Sequence, residues 1–163
     1  MKIAIFSDIH DALPLLKTAL AQIRETDALI CCGDLCSPFV IKILGENYSQ
    51  PIYCVLGNND GDPYLISERA KAFAQIQLTP VFADFSLGGK RIAVIHYDSI
   101  ARPLIASGWY DLVCFGHNHT YEAGRQGKTQ YINPGELSGV LTGQATFVIL
   151  DTETGSVEKR NLS

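Results

Sequence analysis

The strongest constraint on the fold is an alternation in the N-terminal half, where short apolar runs take turns with segments of helical periodicity. Lys2–Phe6, Asp27–Cys32 and Ile52–Leu56 have the length and composition of buried strands. Between them, Leu16, Leu20 and Ile23 recur at i, i+4 and i+7 behind Asp11, a candidate N-cap. Ser37-Pro38 and Asp62-Pro63 each pair a capping side chain with a proline at the first helical position, where its missing N–H costs nothing. Gly45 reads as the stop of the second helix, and the third is expected to run to about Gln77. Strands joined through helices must be parallel, so this half predicts a parallel sheet covered by helices.

The second half is built of hairpins. Val81–Leu87 and Lys90–His96 flank Gly88-Gly89, Tyr121–Gly124 and Thr129–Ile132 flank Gly127-Lys128, and Thr146–Asp151 and Ser156–Arg160 flank Thr152–Gly155. A short helix over Ile100–Ala106 and a strand over Asp111–Phe115 lie between them. The expected fold class is α+β, a four-layer α/β/β/α sandwich of two stacked mixed sheets flanked by helices. With no linker, repeat or low-complexity segment, the 163 residues are expected to form one domain spanning 1–163.

Composition narrows the function classes. The longest strongly apolar runs, Leu29–Cys32 and Ile92–Ile95, fall far short of the roughly 20 residues of a membrane span. The first apolar run meets Asp8 too soon for a secretory h-region, so an intracellular, cytoplasmic protein is expected. Five cysteines without C-x-x-C spacing then read as reduced thiols, with Cys31, Cys32, Cys54 and Cys114 inside apolar strands. The net charge is −4 and the largest basic feature is Lys90-Arg91, so no face is suited to holding nucleic acid stably. A small phosphorylated substrate remains compatible, because bound cations can supply local positive charge.

Chemistry enters at the carboxyl ends of the expected strands, where loops of α/β sheets converge. Ser7-Asp8-Ile9-His10, Gly33-Asp34, Gly57-Asn58-Asn59-Asp60, His96 and Gly116-His117-Asn118-His119 all fall there. The chain has four histidines and every one is in this set, which a packing pattern does not explain. Imidazole with carboxylate is the ligand set of divalent transition metals. Asp8, His10, Asp34, Asn58, His96, His117 and His119 are too many donors for one tetrahedral site and suit a pair of ions sharing a carboxylate.

Taken in order, these blocks resemble the calcineurin-like metallophosphoesterases, and the length resembles their small bacterial and archaeal phosphodiesterase branch. The resemblance runs from residue 3 to about residue 136, where Asn133-Pro134-Gly135 also looks like a family loop. It implies a hydrolase acting on a small phosphodiester. Asp8, His10 and His119 would hold a first divalent ion, Asp34 would bridge, and Asn58, His96 and His117 would hold a second. Mn²⁺ is the first choice, with Ni²⁺, Fe²⁺, Zn²⁺ or Mg²⁺ as alternatives. By that resemblance, two such ions would lower the pKa of a water held between them from about 15.7 toward neutrality and so supply the hydroxide that attacks phosphorus. The catalytic assignments implied are Asp34, Asn58, whose amide faces the non-bridging oxygens, and His117. Asp60 and Asn118 are expected to orient ligands, Asp60 being as readily a plain turn residue.

Two departures from the family pattern bear on mechanism. Asn59 stands where many members carry a histidine that serves as general acid, and an amide cannot donate that proton. Tyr97-Asp98 replaces a Gly-His pair of larger members, which puts Tyr97 at the pocket. The same fold also serves as an interaction scaffold in membrane-trafficking complexes, so a catalytically weak scaffold is the alternative; such proteins show gaps in the ligand set, and here none is missing. An aspartyl-phosphate mechanism fails because His10 stands where its second Asp belongs. Gly127-Lys128-Thr129 lacks the first glycine of a phosphate-binding loop, Glu122 standing in its place. No long insertion is present to cap the site, and whether the chain forms a homo-oligomer is left open.

Overall fold

The computed structural model describes residues 1–162. Four helices and eleven strands follow one another among them as β1 (Lys2–Phe6), α1 (Leu13–Gln22), β2 (Ala28–Cys31), α2 (Pro38–Asn47), β3 (Ile52–Cys54), α3 (Pro63–Ala70) and β4 (Ile76–Leu78). The second half adds β5 (Phe82–Leu87), β6 (Lys90–Ile95), α4 (Asp98–Ser107), β7 (Leu112–Cys114), β8 (Tyr121–Gln126), β9 (Thr129–Pro134), β10 (Ala145–Asp151) and β11 (Val157–Leu162). The first sheet has the order β11-β10-β1-β2-β3-β4 and the second β5-β6-β7-β9-β8.

Both sheets are mixed. Strands β1 to β4 are parallel, as the helical crossovers require, and β10 adds antiparallel to β1 with Ile5 opposite Val148. In the second sheet, β6, β7 and β9 are parallel, with β5 and β8 antiparallel at the edges.

Alternation along β1 explains the layering. Ala4 and Phe6 face the helices with Leu16, Leu20, Val40 and Leu44, and the Phe6 ring meets Phe147 edge-on at 5.3 Å. Ile3 and Ile5 face the other way, into a core shared with Ile92, Val94, Leu112 and Ile132 of the second sheet. Beyond that sheet, Ala93, Ile95, Val113 and Phe115 pack on Ala101 and Ile105 of α4. The four layers are therefore helices α1–α3, sheet, sheet and α4, as expected. Each fully buried Ile, Leu or Phe contributes roughly 1.5–3 kcal/mol, so these three cores are the main stabilising contribution to the fold.

Several local expectations are corrected. Asp11 does not cap α1; the helix opens at Ala12 with Pro14 in its first turn, and Asp11 accepts a hydrogen bond from Ser37 Oγ (2.5 Å) instead. Ser37 and Asp62 do cap α2 and α3, accepting from Phe39 N and Leu65 N. Gly45 lies inside α2, where a Cβ would collide with the Phe73 ring; it is a packing glycine rather than a stop. The third helix ends at Ala70, and Ile76–Leu78, read as its tail, is β4. The fourth helix starts at Asp98, two residues early, and β2 and β3 are shorter than their apolar runs. All five cysteines are free, with only Cys36 not fully buried.

Candidate metal centre

The carboxyl ends of β1, β2, β3, β6 and β7 deliver their loops to one place, and backbone hydrogen bonds stitch the loops together. Asp8 N donates to Gly33 O (3.1 Å), His10 N to Asp34 O (3.0 Å) and Gly116 N to His96 O (2.9 Å). Leu137 N donates to Ser7 O (2.9 Å), which ties in the segment after β9. Such close approach needs glycine: a Cβ on Gly33, whose φ is +99°, would stand 2.7 Å from His96 Nδ1. Asp8, His10, Asp34, His117 and His119 all have positive φ, between 45° and 72°. Each such residue costs on the order of 1–3 kcal/mol and persists only where its surroundings over-determine it, which is characteristic of functional sites.

All seven candidate ligands converge. Asp8, His10, Asp34 and His119 each offer one atom to a cluster in which those atoms lie within 4.8 Å of one another. His10 Nε2 is 3.5 Å from Asp34 Oδ2, and His119 Nε2 is 3.5 Å from Asp8 Oδ1. The remaining three gather on the other side of the same carboxylate. His96 Nε2 is 3.4 Å from Asp34 Oδ1 and 3.1 Å from Asn58 Oδ1, which is 2.9 Å from His117 Nδ1. Asp34 therefore has one oxygen toward each cluster.

The tautomers follow from the outer contacts. Carbonyl and carboxylate oxygens only accept, so His96 Nδ1–H donates to Cys32 O (2.8 Å) and His119 Nδ1–H to Glu136 Oε2 (2.8 Å). That leaves Nε2 of each ring pointing inward, 3.4 Å from Asp34 Oδ1 for His96 and 3.5 Å from Asp8 Oδ1 for His119. Asp8 Oδ1 and His10 Nε2 are buried without a hydrogen-bond partner among the described residues. Buried polar atoms left like this are costly unless a cation completes them. Two ligands each ~2.1 Å from one ion stand roughly 3.0–3.4 Å apart, close to the separations here. The donor set therefore fits a divalent metal.

The electrostatics agree. Burial pushes Asp34 up, but hydrogen bonds from His96 and from Asn59 outweigh it and hold the carboxyl well below the usual range. Burial disfavours a proton on His96, yet the Asp34 carboxylate prevails and raises its pKa. Asp8 is raised by its burial. The site thus favours positive charge among its ligands.

Glu136 was not singled out from the sequence, although Asn133-Pro134-Gly135 just before it was. It is fully buried, and besides His119 it accepts from Ser138 Oγ (2.8 Å), Leu141 N (3.0 Å) and Thr142 Oγ1 (2.7 Å). A lone glutamate in an otherwise neutral stretch after a strand end was its one sequence signal. Burial opposes its ionisation, but these donors, His119 first, pull its pKa from 4.5 down to about 2. A depressed carboxylate pKa stabilises the fold above the unfolded value and loses that contribution as pH falls through the folded one. The metal-free protein should therefore lose stability from about pH 4.5 toward pH 2, and Glu136→Gln should flatten that limb, as read by urea unfolding at pH 6 and pH 3. Because such partners fix the ligand ring, Glu136→Ala should also weaken metal affinity about 10–100-fold, measured by calorimetric titration.

The other expected helpers separate. Asp60 accepts from Gly57 N (2.6 Å) and Cys36 N (2.7 Å), bracing two site loops, so it is more than a plain turn residue. Asn118 Oδ1 accepts from Asn133 Nδ2 (2.9 Å) and Thr120 N (2.9 Å), which fixes the His117–His119 loop. Asn59 turns to Asp34, its backbone N donating to Oδ1 and its Nδ2 to Oδ2, both at 2.8 Å. The Tyr97 ring stands edge-on to His96 and His117 at 5.3 and 5.0 Å, forming a wall of the second cluster.

Comparison with known proteins places these features. The model of the calcineurin-like phosphoesterase superfamily domain matches residues 1–155. A phosphodiesterase of Methanocaldococcus jannaschii is 36% identical over 157 residues, covering 94% of this chain and 94% of the relative. A solved archaeal phosphodiesterase superposes with a TM-score of 0.93 at 35% identity, covering 99% of this chain and 100% of its own. Vacuolar protein sorting 29 from Cryptosporidium parvum has a TM-score of 0.68 at 15% identity, covering 99% of this chain and 97% of its own, a likeness of fold alone.

Proposed function

The chain belongs to the calcineurin-like phosphoesterase superfamily, and from that premise we propose that it is a phosphodiesterase using two divalent ions, Mn²⁺ first among them, to hydrolyse a small phosphodiester in the cytoplasm. The observation that carries this reading is Asp34, whose two oxygens each face one cluster of candidate ligands. Asp8, His10 and His119 would hold one ion, Asn58, His96 and His117 the other, and Asp34 both. Bound there, the ions would supply an ionisable water near neutral pH and neutralise charge on the phosphoryl oxygens.

The chain's own residues prepare that chemistry. Cys32 O and Glu136 orient the His96 and His119 rings so that each presents Nε2 to the site. Asn59 clamps both Asp34 oxygens, so the carboxylate is ionised and oriented beforehand. Asn58 is exposed, and its amide can face a substrate oxygen as well as an ion. The donor set argues against the scaffold alternative, since each of the seven expected residues reaches one of the two clusters around Asp34. Among the described residues no helix is long and apolar enough to cross a membrane.

The test is hydrolysis of bis(p-nitrophenyl) phosphate with Mn²⁺, Ni²⁺, Zn²⁺ and Mg²⁺ added in turn to metal-free protein. Turnover that requires a divalent ion is expected; turnover indifferent to metal would refute the reading. EDTA should silence the enzyme while the far-ultraviolet circular dichroism stays nearly unchanged, because the three apolar cores carry the fold. The melting temperature should drop modestly, by the mass-action stabilisation that is lost. Unfolding on chelation would instead make the metals structural.

A further inference from the structure

Beside the metal centre, a cleft of about 240 Å³ opens between the two sheets, walled by His119, Thr120, Tyr121, Thr142, Gln144, Thr146 and Lys159. His119 belongs to both places, so the cleft continues directly from the candidate ligands. Its lining contains one cation, Lys159, and no carboxylate. The threonine hydroxyls are already committed, Thr120 Oγ1 to Asn118 O (3.2 Å), and Thr142 Oγ1 to Glu136 Oε1 and Thr146 Oγ1 to Pro134 O, both at 2.7 Å. Lys159 Nζ lies 4.8 Å from the centre of the Tyr121 ring, which holds the ammonium in place. Among the described residues no carboxylate lies within ion-pair distance of it; Lys2, Lys17, Lys90 and Lys128 are likewise unpaired, so it is the position in this cleft that sets Lys159 apart.

We propose that this cleft is a specificity subsite in which Lys159 receives a second phosphate group of the substrate, so that the preferred phosphodiesters carry another phosphate near the scissile one. The proposal rests on the phosphodiesterase reading above and adds to it a substrate class. Ions held at the metal centre would take the scissile phosphate, and the Lys159 ammonium, the one lysine or arginine in the cleft lining, would take a second anion. A competing role for Lys159 is to blunt β11, an edge strand of the first sheet, against pairing with another chain.

The experiment compares three substrates with metal in excess: bis(p-nitrophenyl) phosphate, thymidine 5′-(p-nitrophenyl phosphate), and the same nucleotide bearing a 3′-phosphate. The wild type should favour the last through a lower KM, and added salt should shrink that advantage. Lys159→Met, which keeps the aliphatic stem, should raise KM for it about 10–100-fold and leave kcat and the other two substrates unchanged. Lys159→Arg should retain the preference. No preference in the wild type, an unaffected Lys159→Met, or an equal loss on all three substrates would each overturn the subsite while the phosphodiesterase reading stands; Lys159→Met that alters only self-association would assign the lysine to edge protection. Failure of the wild type to hydrolyse any of the three would instead overturn the phosphodiesterase reading and the subsite with it.

Discussion

Asp34→Ala is expected to lower turnover of an aryl phosphodiester by roughly 10³-fold or more and to deplete metal from both positions together. Loss of one electrostatic contact to developing charge typically costs about 10²–10³-fold, and here one side chain serves both clusters, with Oδ2 3.5 Å from His10 Nε2 and Oδ1 3.4 Å from His96 Nε2. The carboxylate is also what raises the pKa of His96, so its removal takes away the attraction for positive charge on that side. His119→Ala provides the contrast. That ring faces Asp8 and Glu136, so its loss should empty mainly the position shared with Asp8 and His10. Metal counted by mass spectrometry alongside steady-state rates checks both. A variant lacking Asp34 that keeps two ions and near-normal turnover would show that the clusters do not share this ligand.

The rate should depend steeply on the basicity of the leaving group. A positioned general acid contributes typically ~10²–10⁴-fold, and that deficit grows as the departing oxygen becomes harder to expel as an anion. Position 59, where a histidine would supply the proton, is an asparagine whose amide points at Asp34 and not outward. Nitrophenyl diesters should therefore be turned over well and simple alkyl diesters slowly. The same geometry sets the expectation for Asn59→His. The new ring cannot keep the hydrogen bond to Asp34 Oδ2, so any gain on alkyl esters should come with weaker metal binding. Rates across leaving groups of rising pKa decide the matter. A flat dependence with chemistry rate-limiting would mean that another group, Tyr97 or a water, already delivers the proton.

What could be read from the chain alone was whatever is encoded over a few neighbouring residues. Strand-length apolar runs, Ser37-Pro38 and Asp62-Pro63 at helix starts, and Gly88-Gly89 in a hairpin are local, and each produced the element expected of it. The polar blocks were legible for the same reason, since a strand end is a local event and every histidine of the chain sits at one. Where local signals were weak or served a distant partner, the sequence misled. Ile76–Leu78 is too short to show a period and becomes a strand only by pairing with β3. Gly45 looks like a helix stop and is instead the hollow that receives Phe73. Asp11 has a capping side chain that α2's own cap, Ser37, engages first. The pairing of donors was likewise a tertiary decision. Nothing near Glu136 in sequence announces that it holds His119, and nothing near Asn59 announces that it clamps Asp34. Those contacts join residues 17 and 25 positions apart, and they exist because the two packed sheets bring the carboxyl ends of separate strands to one edge, where backbone strain at Asp8, His10, Asp34, His117 and His119 can be held against the packing of the whole domain.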